Sequence, residues 1–364
     1  MKRRDFLKSA GVASAAFAIP GQSLFGKTSS GQWRTFEVTT RVEVARVNGP
    51  VTVWVPAALI TSTPYQKILW NRFDAPSGVA RLSDNQQEDM GIVTAKFAAG
   101  TPAVFTLTSR IATRDVAVDF SSPAVPRTVD GAELRHFLRP TKLLPTDGIV
   151  KEKANEITKG ATTDVDKARA IYEWIVDCTF RDAKTPGCGL GDIRFMLESG
   201  NLGGKCADLN SLFVGLARAA GLPARDVFGI RVAKSGLGYK SLGTSSETIT
   251  KAQHCRAEVY LAEYGWVPVD PADVRKVMLE EPPGNRPPED VIVKKARARL
   301  FGSWEMNWMA YNFAHDVSLP GSHEGPVSFF MYPQAETAEG RLDCLDAANF
   351  KYEISSREIS SAIG

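Results

Sequence analysis

The residues best suited to do chemistry in this chain are a cysteine, a histidine and an aspartate set far apart in sequence: Cys206, His254 and Asp270. Cys206 follows Gly203-Gly204-Lys205. It opens a run in which Leu209, Leu212, Phe213, Leu216, Ala217 and Ala220 recur with helical period until Gly221 and Pro223 stop it. A thiol in the first turn of a helix meets unpaired N–H groups and the positive end of the helix dipole, and both favour the thiolate. The thiolate is the species that attacks a carbonyl carbon. Gly203 and Gly204 would let a substrate backbone approach closely. The same stretch also reads as a small buried cysteine at the start of a core helix.

A thiolate nucleophile needs a base, and the base needs an orienting group. Residues 253–261 and 266–271 alternate in the period-two manner of strands, and residues 262–265 read as the hairpin connection between them. With the turn centred on Ala262, Glu258 faces Trp266, Arg256 faces Pro268 and His254 faces Asp270. Opposed residues share a sheet face, about 5 Å apart at Cβ. That register sets an imidazole beside a carboxylate able to fix its tautomer and stabilise the imidazolium. Cys255 is expected on the other strand face, in the core.

Four features together resemble the transglutaminase-like superfamily over roughly residues 140–280: the Gly-x-Cys-x-Asp opening, the helix ending Ala-Arg-Ala-Ala-Gly-Leu-Pro-Ala-Arg, the histidine strand, and the Gly-Trp-Val-Pro-Val-Asp-Pro strand. The resemblance implies an α+β fold with a papain/transglutaminase-like catalytic domain. It implies Cys206 as nucleophile, His254 as general base and acid, and Asp270 as orienter. Attack on a peptide or glutamine amide would give a thioester. Water as acceptor makes a peptidase or amidase, and an amine makes a protein-glutamine transglutaminase. Protein or peptidoglycan-peptide substrates are the partners expected. The alternative is a non-catalytic envelope module that keeps the fold for binding. Two departures stand out. Cys255-Arg256 follow the histidine where the family often has an aromatic, and no clear upstream counterpart completes the oxyanion hole.

No cofactor or metal site is expected. Cys188 with Cys206, and His315 with His323, lack the close spacing of zinc ligands, and no acidic loop of calcium-binding form occurs. Five cysteines leave one unpaired in any full disulfide scheme, and Cys206 is the natural odd thiol, with a Cys178–Cys188 bridge possible by spacing.

Elements must position these groups. With 364 residues, 43% apolar and 23% charged, the chain fits a globular protein of about two domains. The formal net charge of +3 matches that of residues 1–26, where Lys2, Arg3, Arg4 and Lys8 outnumber Asp5. The remainder is near neutral, which gives no footprint for nucleic acid or a membrane surface. Residues 1–26 read as a twin-arginine leader with a short Ala-rich apolar run. Export to a periplasm is therefore expected, with no integral membrane segment in the mature chain. Residues 33–120 read as a small β-sandwich, with strands at 35–44, 51–55, 92–97 and 104–111. Residues 121–145 read as a proline-bearing linker and 146–360 as the catalytic domain, its sheet completed by strands near 327–332 and 350–354. In the latter, Thr163 and Asp166 predict a capping box, and the glycine-rich segment 185–192 predicts a wall beside Cys206. Residues 233–251 read as a loop over the cleft, either a gate or a plain flexible excursion.

Overall fold

The computed structural model describes residues 31–44, 49–123 and 130–359. The expected leader lies outside them. Among the described residues no helix is long and apolar enough to cross a membrane.

The first third forms two antiparallel sheets. In one, Arg34–Val44 lies between Ala103–Thr113 and Phe350–Ile359, with Gln66–Asp74 on the far edge. In the other, Val51–Pro56 lies between Met90–Phe97 and Gln334–Thr337, with Gly78–Asn85 and Gly340–Arg341 at the edges. Val42, Val53, Val55, Ala95, Phe97, Phe105 and Leu107 pack between them, drawn from strands whose inward residues alternate with outward ones. The sequence pattern omits Gln66–Asp74 and Gly78–Asn85. Both are edge strands left largely open to solvent, so no apolar period marks them.

The late strands expected to complete the sheet of the catalytic region do otherwise. Phe350–Ile359 pairs with Arg34–Val44 through ten registered positions, and of residues 327–332 only Val327–Phe329 forms a strand, paired with His315–Val317. Gln334–Thr337, which the sequence pattern does not mark, pairs with Val51–Pro56. The chain returns to its first strands and joins their sheets.

A third sheet runs Gly265–Val269, Arg256–Leu261, Ala224–Arg231, Trp308–Asn312, all antiparallel. Against it lies the helix Cys206–Ala219, whose fourteen residues are all buried. Helices Gly148–Ile157 and Asp164–Cys178 pack on its other side. A helix buried on every face must spend its polar groups internally. Ser211 donates to Asp226 at 3.2 Å and Arg218 Nε to the Ala224 carbonyl at 2.8 Å. The capping box of Thr163 and Asp166 opens the neighbouring helix, with both reciprocal bonds at 3.1 Å.

Candidate active site

Cys206 is the first residue of the central helix, with Lys205 at its N-cap. Its N–H belongs to the first turn, where no intrahelical acceptor exists. The next N–H, of Ala207, is taken by the Cys188 carbonyl at 2.9 Å. Asp208 fastens this end. Its Oδ1 accepts from the N–H groups of Leu190 (3.0 Å) and Gly191 (2.9 Å), and its Oδ2 from Lys205 (2.9 Å). The glycine-rich loop is thereby stapled to the helix start, and Cys188 is held against Cys206. Gly189 sits at φ +94°, and a Cβ there would fall 1.8 Å from Asp208 Oδ2, so both backbone and space demand glycine.

Gly203 and Gly204 serve packing rather than substrate approach. A Cβ on Gly203 would meet the Phe180 ring at 2.3 Å, and one on Gly204 the Asp208 Cβ at 2.5 Å. They pair in parallel with Phe180 and Arg181.

The histidine and the aspartate meet, though by another register. Ala257 pairs with Val269 and Tyr260 with Trp266, so the turn centres two residues' worth of pairing away from the expected one and Asp270 lies across from Arg256. A shift of two keeps every side chain on its face, where a shift of one would not. His254 Nε2 lies 2.7 Å from Asp270 Oδ2 and 3.4 Å from Asp273 Oδ1. The strand begins only at Arg256, so alternation does not govern residues 254 and 255. The His254 N–H instead bonds the Gly229 carbonyl at 2.9 Å, and the Trp308 indole N–H bonds the His254 carbonyl at 2.9 Å.

Asp270 caps the helix Pro271–Glu280, its Oδ1 accepting from the Asp273 N–H at 3.0 Å and from Asn210 Nδ2 at 3.1 Å. Asn210 stands one turn below Cys206 and also donates to the Cys255 carbonyl at 2.8 Å. It ties the cysteine helix to the histidine–aspartate pair. Arg231 bonds Asp273 at 2.6 Å, and Arg256 Nε stands 3.6 Å from Asp270 Oδ2. Arg256 fills the place after the histidine by lying over Trp308 (4.7 Å) and Trp304 (5.3 Å), aromatics supplied from a distant strand pair. The sequence reading passes over Asn210, Asp273 and Arg231. The i+4 spacing of Asn210 from Cys206 is the one signal that marks any of them.

Three thiols crowd this place. Cys188 and Cys255 both act on the Cys206 thiol, and Cys188 Sγ donates to the Gln253 carbonyl at 3.4 Å. Cys255 is fully buried, as expected, but beside the helix start. All five cysteines are free, and Cys178 is exposed while Cys188 is buried at the Cys206 cluster, so the 178–188 bridge is absent. The bonds from Cys188 and Cys255, followed by that from His254, hold the Cys206 thiol well below its ordinary range despite burial. Burial and Arg231 pull His254 down, but Asp273 and Asp270 outweigh them and raise it from 6.5 to about 9. Burial would push Asp273 up, yet Arg231 and then His254 hold it well below the usual carboxylate range. The arrangement can hold a thiolate beside an imidazolium at neutral pH.

His254, Asp270 and Asp273 offer ligand-type atoms within 4.8 Å of one another. Two guanidinium groups already bring positive charge to those carboxylates, which leaves little attraction for a cation. His315, considered with His323 as a metal pair, gives its Nε2 to Asp226 at 2.8 Å.

Cys206 and His254 open onto a cavity of about 640 Å³. The segment 243–252 lines it, but as a pinned wall rather than an excursion. Ile249 N–H bonds the Ile354 carbonyl and Ser356 N–H the Glu247 carbonyl, both at 2.8 Å, while Glu281 accepts from the N–H groups of Lys240 (3.0 Å) and Ser241 (2.8 Å). Gln253 Nε2, on the same wall, is buried and has no hydrogen-bond partner.

These features define an α+β protein in which a buried helix presents a thiol to a histidine–carboxylate pair. Residues 151–271 match the family model of the transglutaminase-like superfamily. The chain is 42% identical over 236 residues to an uncharacterised protein of Haemophilus influenzae, covering 62% of this chain and 63% of that one, so it spans under two thirds of that relative's length. Among solved structures, a candidate cysteine protease from Cytophaga hutchinsonii superposes over 91% of this chain and all of its own, with TM-score 0.51 and 18% identity, a likeness of fold. The periplasmic domain of TgpA from Pseudomonas aeruginosa aligns over 67% of this chain and 88% of its own, with 17% identity and TM-score 0.36.

Proposed function

We propose that the protein is an exported cysteine acyl enzyme that opens peptide or glutamine amides through a thioester on Cys206. The observation that carries this reading is His254 Nε2 held 2.7 Å from Asp270 on the cavity that Cys206 shares. Attack by the thiolate forms the C–S bond, and the imidazolium of His254 gives its proton to the leaving amine. Water, deprotonated by the same imidazole, then releases the acid, or an amine takes the acyl group. The first N–H of the central helix and Gln253 Nε2 are the donors available to the oxyanion. Hydrolysis is favoured over transfer, because an open cleft admits bulk water. The twin-arginine leader supports a periplasmic location.

Alkylation tests the reading directly. Near neutral pH iodoacetamide should modify Cys206 faster than the other four cysteines, and His254→Ala should slow it by roughly 10-fold or more. Equal slow labelling of all five would favour the binding-module alternative. Mixing the protein with a glutamine-bearing protein and a labelled amine separates the two outcomes: incorporation means transfer, and new termini or ammonia alone mean hydrolysis. Because His254 is raised to about 9, turnover should hold through neutral pH and fall on the alkaline side as the imidazolium is lost. A fall centred near the ordinary histidine value of 6.5 would contradict the pairing.

Gln253→Leu should lower kcat by about 10- to 100-fold with KM little changed, since an oxyanion donor acts mainly in the transition state. A change confined to KM would remove Gln253 from that role.

A further inference from the structure

The cavity that holds Cys206 and His254 is lined by Arg181, Lys205, Arg231, Lys251 and Lys276, with no aspartate or glutamate among its described lining residues. A near-neutral chain has gathered its positive charge at one place. The five cations are not equally free. Arg231 is buried on Asp273 at 2.6 Å and serves the histidine pair. Arg181 and Lys276 share a single carboxylate, Glu280, the lysine at 3.7 Å. Lys205 and Lys251 make no ion pair among the described residues. Both lysines line the cavity onto which Cys206 and His254 open, so two unpaired ammonium groups share the space of the proposed reaction centre. Charge of one sign on the walls of a cleft focuses its field into the space a substrate enters. The hydroxyls of Thr244 and Ser245 line the same cavity and can donate to carboxylate oxygens without opposing that field.

Resting on the acyl-transfer reading, we infer that the substrate is an acidic peptide, with carboxylates flanking the amide that Cys206 attacks. A neutral or basic peptide leaves the two cavity ammonium groups without counter-charge. An acidic one neutralises them and is drawn in by them.

Two reagents and three peptides test this on the full chain. Iodoacetate is an anion and iodoacetamide is neutral, yet both react with the same thiolate, so their rate ratio at Cys206 cancels any change in thiol pKa. The ratio should fall roughly 10-fold in Lys205→Glu/Lys251→Glu, and should fall in the unaltered protein as salt rises. Three peptides alike except for Glu, Gln or Lys beside a central glutamine are then compared as protectants of Cys206 against iodoacetamide. The Glu peptide should half-protect at a concentration about 10-fold below the Gln peptide, with the Lys peptide weakest. Equal protection by all three, or a rate ratio indifferent to salt, overturns the inference while leaving Cys206 a reactive thiol. If iodoacetamide fails to single out Cys206 at all, the acyl reading falls and this inference with it. The salt series needs no variant, so a misfolded double mutant does not shield the proposal.

Discussion

Cys206→Ser should reduce amide turnover by on the order of 10⁴-fold or more, with the melting transition nearly unmoved. Serine keeps the volume at the helix start, but its hydroxyl does not ionise in the range where the thiol does. The neighbouring thiols are no substitute. Hydrogen bonding to Cys206, together with burial, pushes Cys188 well above the ordinary thiol range, and burial followed by the Cys206 bond does the same to Cys255. Both are held as neutral thiols beside Cys206. Residual turnover within about 10-fold of the unaltered protein would move the nucleophile elsewhere and undo the proposed mechanism.

Asp273→Ala should cost about 3–5 kcal/mol of stability. The Arg231 guanidinium is buried, 3% exposed at the side chain, and Asp273 is its bonded partner. Removing the carboxylate strands a charge away from water. Arg231→Met/Asp273→Leu, which removes both, should recover much of that loss. Denaturant titration of the three proteins gives the comparison, and a loss under about 1 kcal/mol for Asp273→Ala alone would show the pair to be unimportant. The same change should lower the pKa of His254, since Asp273 helps to raise it. The alkaline limb of turnover then moves to lower pH. The sign is fixed by the direction of the shift: a histidine raised from 6.5 to about 9 stabilises the fold fully below 6.5 and loses that contribution as pH climbs through 9.

The local parts of the site were legible because each has a local cause. A helical apolar period with two glycines before it marks the start at Cys206, and a two-residue period marks the strands that carry His254 toward Asp270. The hairpin register was misplaced by one turn position. The even shift kept the paired strand residues on their faces, while His254, outside the strand, is placed by its bond to the Gly229 carbonyl. What could not be read is non-local. Arg231 and Asp273 meet from a strand and a helix with no shared pattern, and Cys188 reaches Cys206 only because Asp208 folds a loop back onto its own helix. Gly203 and Gly204 illustrate the same limit, since a glycine pair beside a cysteine does not say whether the space it leaves is for a substrate or for Phe180 and Asp208. The return of residues 350–359 to the first strand is likewise silent, because a β pattern names no partner.

That return has a consequence for how the molecule comes into being. Arg34 and Glu358, 324 positions apart, close a two-pronged bond at 2.8 Å, and residues 354 and 356 of the same strand hold the cavity wall in place. Pairings of such separation carry a large loop-closure cost and form late. The cavity wall is therefore anchored only once two segments 324 positions apart have met. The wall beside Cys206 thus depends on a long-range closure, while the helix and hairpin that carry the proposed triad form from nearer segments.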